Sequence, residues 1–170
     1  MLKSIIISGP PAIGKTTIAK GLAKEFGLMH LSGGDILKEL AAEEGFETKG
    51  DDSWDTQDGI DFLSKRQENS EFDKQVDDKL KKLFSKGSVV ITSYTLPWLV
   101  KGGIKIWLDG SKENSAQRMT ARDNLSKNDT LEIVQKRYNE NEIFLWAWYF
   151  LTAIAFSGMI MKLTKTSMNE

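Results

Sequence analysis

The sequence contains no cysteine, three prolines and a single histidine among its 170 residues. The absence of cysteine excludes disulfide bonds, thiolate metal sites and cysteine catalysis, and it fits a reducing, cytoplasmic location. An excess of charge of one sign is also missing, because 23 basic and 24 acidic side chains leave a formal net charge of −1. Dedicated nucleic-acid binders carry a basic surplus that neutralises phosphates, so we expect no nucleic-acid partner. The first residues lack the long apolar run of a signal peptide.

Short apolar runs rich in β-branched residues alternate with amphipathic segments along the chain. The runs predict buried parallel strands, at residues 2–8, 88–92 and 103–108, with a shorter candidate at 28–31. Apolar residues at helical spacing predict helices, at 15–27, 35–44, 111–123 and 129–142, and along the stripe Phe72, Val76, Leu80, Leu83 and Phe84. This alternation predicts an α/β fold in which helices flank a parallel sheet with right-handed crossovers.

Residues 9–16 (GPPAIGKT) match the phosphate-binding loop pattern G-x-x-x-x-G-K-[ST] between a predicted strand and a predicted helix. Glycine permits backbone torsions that turn successive N–H groups toward one anion, and the helix N-terminus adds the positive end of its dipole. Lys15 is expected to reach the β- and γ-phosphates, and the Thr16 hydroxyl is expected to ligate Mg²⁺. We therefore predict a P-loop NTPase that uses ATP and Mg²⁺, held by Gly9, Pro10, Pro11, Ala12, Ile13, Gly14, Lys15, Thr16 and Thr17. A tight turn without a ligand is the alternative, and it leaves the Lys-Thr pair unexplained.

Arginine is scarce, and three of the four arginines follow the last predicted internal strand. Arg118 and Arg122 lie four residues apart, so they share a helix face, and Arg137 falls on the next predicted helix. A transferring phosphoryl group spreads negative charge over its oxygens and is stabilised by planar, permanently charged donors. We predict a short arginine-bearing lid at about residues 111–128, with Lys15, Arg118, Arg122 and Arg137 as catalytic residues. A solvated charged helix face is the alternative, and the fourth arginine, Arg66, is expected to form a surface ion pair.

Three segments taken in order resemble a known family. They read SGPPAIGKTTIAKGLAKEFGLMHLSGGDILKELAAEEG, NSEFDKQVDDKL and GIKIWLDGSKENSAQRMTARD. Their most specific parts are Ser-Gly-Gly-Asp at 32–35, Phe-Asp-Lys-x-Val-Asp at 72–77 and Lys-Ile-Trp-Leu at 105–108. Over roughly residues 3–142 the chain resembles the archaeal-type cytidylate kinases, which are nucleoside monophosphate kinases.

The resemblance implies a five-stranded parallel sheet, a helical acceptor-binding insert at about residues 32–86 and the short arginine-bearing lid. It implies ATP-dependent phosphorylation of CMP or dCMP with Mg²⁺. It also places Ser32, Gly33 and Asp35 at the acceptor nucleotide and Arg137 near the phosphates, although Asp35 is equally suited to capping a helix. Another nucleotide as acceptor remains open, as does a nucleotide-binding module without turnover that is tethered by its tail.

Two departures from the family affect the acceptor side. Where the family often reads Glu-Gly-Arg after its third core strand, this chain has Thr92-Ser93-Tyr94-Thr95, so an expected phosphate-binding arginine is missing. Lys38 stands where many relatives have arginine, which replaces a bidentate fork with a point charge. The carboxyl ends of parallel strands are where α/β proteins bind ligands. We therefore predict a pocket there for a small nucleotide substrate, lined by Ser32, Gly33, Asp35, Lys38, Ser93 and Tyr94.

The kinase domain is expected to span residues 1–142, and an apolar tail follows at 143–170. Residues 143–161 (IFLWAWYFLTAIAFSGMIM) contain no charged side chain. Three interpretations stay open: a membrane-spanning helix, a helix that packs on the domain or self-associates, and the translation of a slipped reading frame. The last is motivated by the absence of the charged helix, Tyr-Gly turn and polar last strand that the resemblance predicts.

Overall fold

A computed structural model describes residues 4–48, 56–123, 126–140 and 160–164. Its strands are β1 (Ile5–Ser8), β2 (Met29–Ser32), β3 (Val89–Thr92), β4 (Ile104–Asp109) and β5 (Ile160–Thr164). Its helices are α1 (Lys15–Phe26), α2 (Gly33–Glu43), α3 (Gln57–Glu68), α4 (Glu71–Lys86), α5 (Leu96–Leu99), α6 (Lys112–Asp123) and α7 (Lys127–Glu140). All strand pairs are parallel, in the order β2-β3-β1-β4-β5, which confirms the predicted α/β fold.

Alternating side chains of the central strand divide the core into two layers. Ile5 and Ile7 pack with Ala19 and Ala23 of α1 on one face of the sheet. Ile6 points to the opposite face, where it joins a cluster from α2, α4 and α5. Because a strand buried on both faces reads as one continuous apolar run, the sequence pattern of β1 follows from its central place.

The insert between β2 and β3 is held together by its own small core. Phe62 of α3 is fully buried and meets Phe46 and Phe72 edge to face, with ring centroids 5.5 Å and 5.2 Å away. Leu37 and Ala41 of α2 complete this cluster. The predicted stripe on α4 faces inward, since Phe72 and Leu80 are buried. The insert is therefore a helical subdomain that is fixed on the sheet through α2 and α4.

Helices α2 and α7 each begin two residues before the acidic residue at which the sequence pattern predicts their start, Asp35 and Asp129. The side chain of Ser32 accepts a hydrogen bond from the Asp35 backbone amide at 3.0 Å, so Ser32 caps α2 and Asp35 lies in its first turn. Ser126 does the same for the amide of Asp129 at 3.2 Å at the start of α7. A hydroxyl three residues ahead of a carboxylate satisfies the free amide, and this arrangement displaces the carboxylate from the cap position.

The end of the tail supplies the fifth strand of the parallel sheet that the resemblance implies. Residues Ile160–Thr164 form β5, which pairs in parallel with β4 in the register Ile106 to Met161. Ile160 and Met161 therefore belong to a strand, although the membrane-helix and packed-helix interpretations both included them. Residues 143–159 lie outside the described residues. Among the helices described, none is long and apolar enough to cross a bilayer.

Candidate phosphate site and acceptor pocket

The loop between β1 and α1 has the backbone of an anion cradle. Gly9, Ala12 and Gly14 adopt φ values of 140°, 54° and 93°, in the left-handed region that favours glycine. At Gly9 a side chain is excluded as well, because a Cβ would overlap the backbone carbonyl of Leu108 at the end of β4. Gly14 occupies the cap position of α1, where no side chain accepts from the first amides of the helix. The amides at the start of α1 are thus available to an anion.

Lys15 folds back over this loop. Its Nζ donates hydrogen bonds to the carbonyl oxygens of Gly9 and Pro10 at 2.9 Å and 2.6 Å, and it lies 3.5 Å from the hydroxyl of Tyr94. Burial of the ammonium lowers the pKa of Lys15 to about 7, because desolvation disfavours the charged form. The lysine is positioned where an incoming polyphosphate would replace carbonyl oxygens as its partner and restore its charge.

Arg118 is the predicted lid arginine that the structure brings to the loop. Its Nε donates to the carbonyl oxygen of Ala12 at 3.2 Å, and a terminal nitrogen donates to Ser115 Oγ at 3.3 Å. Ala12 also packs against the cluster of Ala116, Met119 and Val134 that joins α6 to α7. The backbones of Arg122 and Arg137 lie in α6 and α7. Their side chains are outside the described part of the chain, so their roles stay predictions.

Thr16 and Thr17 follow at the exposed start of α1. Within the described residues no group of three or more His, Asp or Glu side chains is placed to hold a metal. Mg²⁺ in nucleotide-dependent enzymes is bound by one or two protein oxygens together with substrate phosphates and water, and not by a protein cage. An exposed threonine hydroxyl beside an anion cradle fits that mode of binding, so the residues present are compatible with a magnesium–nucleotide complex.

The predicted acceptor residues meet at the carboxyl edge of the sheet. Ser32 ends β2 opposite Thr92 of the neighbouring strand, so the starts of α2 and of the segment after β3 are side by side. Gly33 lies against Val76 and Leu80 of α4, since a Cβ at this position would sit 3.8 Å from both side chains. Asp35 is exposed in the first turn of α2 and Lys38 is half-buried one turn later. Four of the predicted acceptor residues therefore lie close together, at the end of β2 and in the first turns of α2.

Ser93 and Tyr94 follow β3, the strand that neighbours β2 in the sheet. Ser93 is buried, and its amide donates to the carbonyl oxygen of Ile7 at 3.2 Å, which extends the sheet by one bond. Its hydroxyl accepts from the amides of Thr95 and Leu96 at 3.2 Å and 3.1 Å and so shapes the start of α5. Lys105 holds the end of α5 by donating to the carbonyl oxygens of Pro97 and Val100. The segment that carries Tyr94 is consequently fixed at both ends.

Several proteins named cytidylate kinase are similar in sequence to this chain over most of its length. A protein named cytidylate kinase from Sulfurisphaera tokodaii is 34% identical over 149 residues, which cover 85% of this chain and 76% of the relative. Another from Haloquadratum walsbyi is 30% identical and covers 86% and 71% of the two chains. A family model described as an AAA domain also matches residues 5–144. The chain belongs to the cytidylate kinase family.

Solved structures agree with the fold of this cytidylate kinase family member. A shikimate kinase from Bacteroides thetaiotaomicron superposes with a TM-score of 0.56 at 13% identity, covering 85% of this chain and 81% of the other. A gluconokinase from Sinorhizobium meliloti gives a TM-score of 0.51 at 16% identity, covering 97% and 83%. At such low identity the likeness concerns the fold alone, and it agrees with the parallel sheet flanked by helices.

One pair of residues in this family member was not assigned a role from the sequence. Asp77 of α4 accepts a hydrogen bond from Thr95 Oγ1 at 2.5 Å, and burial raises the pKa of the Asp77 carboxyl. The sequence did contain a signal for the special position of Asp77. This carboxylate stands next to Val76, between two residues of the apolar stripe on α4, and it is half-buried there. The sequence also suggested a surface ion pair for Arg66, and the structure confirms it with Asp73 at 2.7 Å.

Proposed function

We propose that this protein transfers the γ-phosphoryl group of ATP to CMP or dCMP, with Mg²⁺ as the accompanying ion. Membership of the cytidylate kinase family supports the reaction and the acceptor. The observation that carries the proposal is the arrangement of Lys15 and Arg118, which both bind carbonyl oxygens of one glycine-bearing loop. Two cations on the same loop are suited to a polyphosphate.

In the proposed mechanism the loop amides between residues 9 and 17 hold the β- and γ-phosphates. Lys15 exchanges the carbonyl oxygens of Gly9 and Pro10 for phosphate oxygens and becomes fully charged. An oxygen of the acceptor phosphate forms a bond to the γ-phosphorus while the bond from that phosphorus to the bridging β–γ oxygen breaks, and ADP leaves. Magnesium, held through Thr16 and the phosphates, would supply further neutralisation of charge. No proton needs to be removed, because the attacking phosphate oxygen is already ionised near neutral pH.

Arg118 is placed to act where charge is redistributed during transfer. Its guanidinium is permanently charged and already rests on the loop at Ala12. Arg122 and Arg137 are proposed to complete the lid at about residues 111–128 and the acceptor side. A positioned charge of this kind accelerates phosphoryl transfer because it stabilises the transition state more than the bound substrate. ATP and nucleoside monophosphates are cytoplasmic metabolites, and we propose that the protein acts there.

The acceptor residues are proposed to act from two sides of one pocket. Ser32 and Gly33 at the start of α2, with Asp35 and Lys38, would contact the acceptor from the insert, while Ser93 and Tyr94 would contact it from the end of β3.

The proposal is tested by measuring ADP formation from ATP and Mg²⁺ with CMP, dCMP, UMP or AMP in turn. We expect acceptor-dependent ADP with CMP and dCMP. Lys15→Ala serves as the control, since it should abolish turnover while circular dichroism shows that the fold is retained. A wild-type protein that binds ATP and forms no ADP with any of the four acceptors would contradict the proposal. It would favour a binding module without turnover.

A further inference from the structure

A chain of hydrogen bonds links the insert to the carboxyl edge of the sheet. Thr95 Oγ1 donates to Asp77 Oδ1 at 2.5 Å and lies 3.3 Å from Ser93 Oγ. The amide of Ser93 in turn donates to the carbonyl oxygen of Ile7, the residue before the last residue of β1. Asp77 is therefore tied through two side chains to the strand that carries the phosphate loop. Its carboxylate therefore faces the segment after β3, through Thr95.

Two consecutive residues after β3 have partners on different elements. Tyr94 contacts Lys15 of the phosphate loop, and Thr95 contacts Asp77 on α4. The Cα atoms of consecutive residues are about 3.8 Å apart, so this short segment joins the phosphate loop to α4. Under the proposed function, an acceptor nucleotide whose phosphate faces Lys15 would extend along this segment toward α4. Val76, the neighbour of Asp77, also lies against Gly33 at the start of α2.

The Asp77 carboxylate is suited to accept a hydrogen bond from a ligand. Its Oδ1 is engaged by Thr95, and among the described residues no group donates to Oδ2. Burial is the main cause that raises the pKa of Asp77, and Asp73 adds to it, while the hydrogen bond from Thr95 acts in the opposite direction. An ionised carboxylate only accepts hydrogen bonds. A half-buried carboxylate with an unused oxygen is stabilised by a ligand that brings an N–H or O–H donor.

We infer that Asp77, oriented by Thr95, accepts a hydrogen bond from the exocyclic 4-amino group of the acceptor base and thereby selects cytosine over uracil. This inference rests on the proposed function. Cytosine presents a donor at this edge, whereas uracil presents a carbonyl oxygen that a carboxylate repels. Specificity then arises both from the bond made to cytosine and from the repulsion of uracil.

The inference is tested with Asp77→Asn, which keeps the size of the side chain and replaces one acceptor oxygen with a donor. We measure kcat/KM for CMP and for UMP in both proteins at saturating ATP. The wild type is expected to prefer CMP, and the ratio of the two values should fall by about 10- to 100-fold in Asp77→Asn, as is typical of one lost base contact. Asp78→Asn is the matched control, because it removes the same charge one residue along, from a carboxylate that pairs with Lys81 at the surface. Its ratio should equal that of the wild type.

Each result separates the inference from the proposed function. Equal losses for CMP and UMP in Asp77→Asn would overturn the inference, because they would show that the carboxylate only supports the fold or binds the ribose. An unchanged ratio, or a wild type that uses CMP and UMP equally, would also overturn it. In those cases the kinase activity itself would stand. Failure of the proposed function would appear differently, as a wild type without acceptor-dependent ADP. Thermal unfolding measures the folded fraction of Asp77→Asn, so that the two proteins are compared at equal amounts of folded enzyme. Calorimetry of CMP and UMP binding then gives the CMP-to-UMP preference independently of turnover.

Discussion

The ammonium group of Lys15 lies 4.7 Å from the centroid of the Tyr94 ring, and its Nζ is 3.5 Å from the phenolic oxygen. The lysine comes from the loop after β1 and the tyrosine from the segment after β3, so the contact joins the ends of two neighbouring strands. An aromatic face attracts a cation through its quadrupole. Tyr94 thus helps to hold the Lys15 side chain above the loop.

Changing Tyr94 should separate the role of the ring from that of the hydroxyl. Tyr94→Phe keeps the ring, so we expect kcat/KM for ATP to stay within about 3-fold of the wild type, since the 3.5 Å hydroxyl contact is long. Tyr94→Ala removes the ring, and kcat/KM for ATP should fall by about 3- to 30-fold, the range of a partly buried cation–π contact. The measurement is initial rate against ATP at saturating CMP. Equal activity of Tyr94→Ala and the wild type would show that the contact does not matter.

Nucleotide binding should be coupled to proton uptake by Lys15. With a pKa of about 7 in the free protein, Lys15 is mostly neutral at about pH 8, whereas its ordinary pKa is 10.5. Bound phosphates favour the ammonium form and raise this pKa, so ATP binding at about pH 8 should take up nearly one proton, and uptake by Lys15 should decline as the pH falls through about 7 and be nearly lost at about pH 6. Affinity for ATP should correspondingly fall as the pH rises above about 7.

Calorimetry in buffers with different enthalpies of ionisation measures this uptake directly. Lys15→Arg is the matched control, because a guanidinium stays charged over the whole range and should remove the pH-dependent part. Binding of ATP to the wild type with no net proton exchange at about pH 8 would contradict the lowered pKa of Lys15.

Removing Arg118 should affect transfer more than binding. Arg118→Ala is expected to lower kcat by about 10²- to 10³-fold, because the guanidinium stabilises charge that develops during transfer. KM for ATP should change much less. Arg66→Ala is the control, since Arg66 is half-exposed and pairs with Asp73 in the insert, and it should leave kcat within about 2-fold. A parallel loss of activity in both variants would point to general destabilisation instead.

The phosphate loop was predictable because all of its chemistry is local. Its glycines, lysine and threonine fall within eight consecutive residues, and the strand and helix on either side have clear apolar patterns. Arg118 was predicted because phosphate chemistry requires a cation of this type, and its contact with the loop at Ala12 joins residues 106 positions apart, while its catalytic role stays a prediction. Residue types that a reaction demands can be found without knowing the packing.

Other features depend on packing that no local pattern specifies. The hydrogen bond between Asp77 and Thr95 joins residues 18 positions apart, and it forms only because α4 lies beside α5. Asp35 was suited to capping a helix, and only the observed start of α2 shows that Ser32 is the cap instead. Strand β5 was missed because Ile160 and Met161 continue an apolar run that contains no turn residue before them except Gly158.

Two glycine substitutions should change stability in opposite directions. Gly9 has a φ of 140°, which disfavours any side chain, and a Cβ there would overlap the backbone carbonyl of Leu108. This carbonyl belongs to the sheet and cannot move away. We expect Gly9→Ala to lower the free energy of unfolding by more than about 2 kcal/mol and to abolish ATP binding.

Gly21→Ala is the matched control inside α1, because a Cβ there meets no atom within 4 Å. Alanine is the better helix former, so this variant should gain up to about 1 kcal/mol and keep its activity. Urea unfolding and ATP titration of both variants test the pair. Normal ATP binding by Gly9→Ala would show that the loop relaxes away from β4, and the close approach of Gly9 to Leu108 would then not be needed to hold the phosphate cradle.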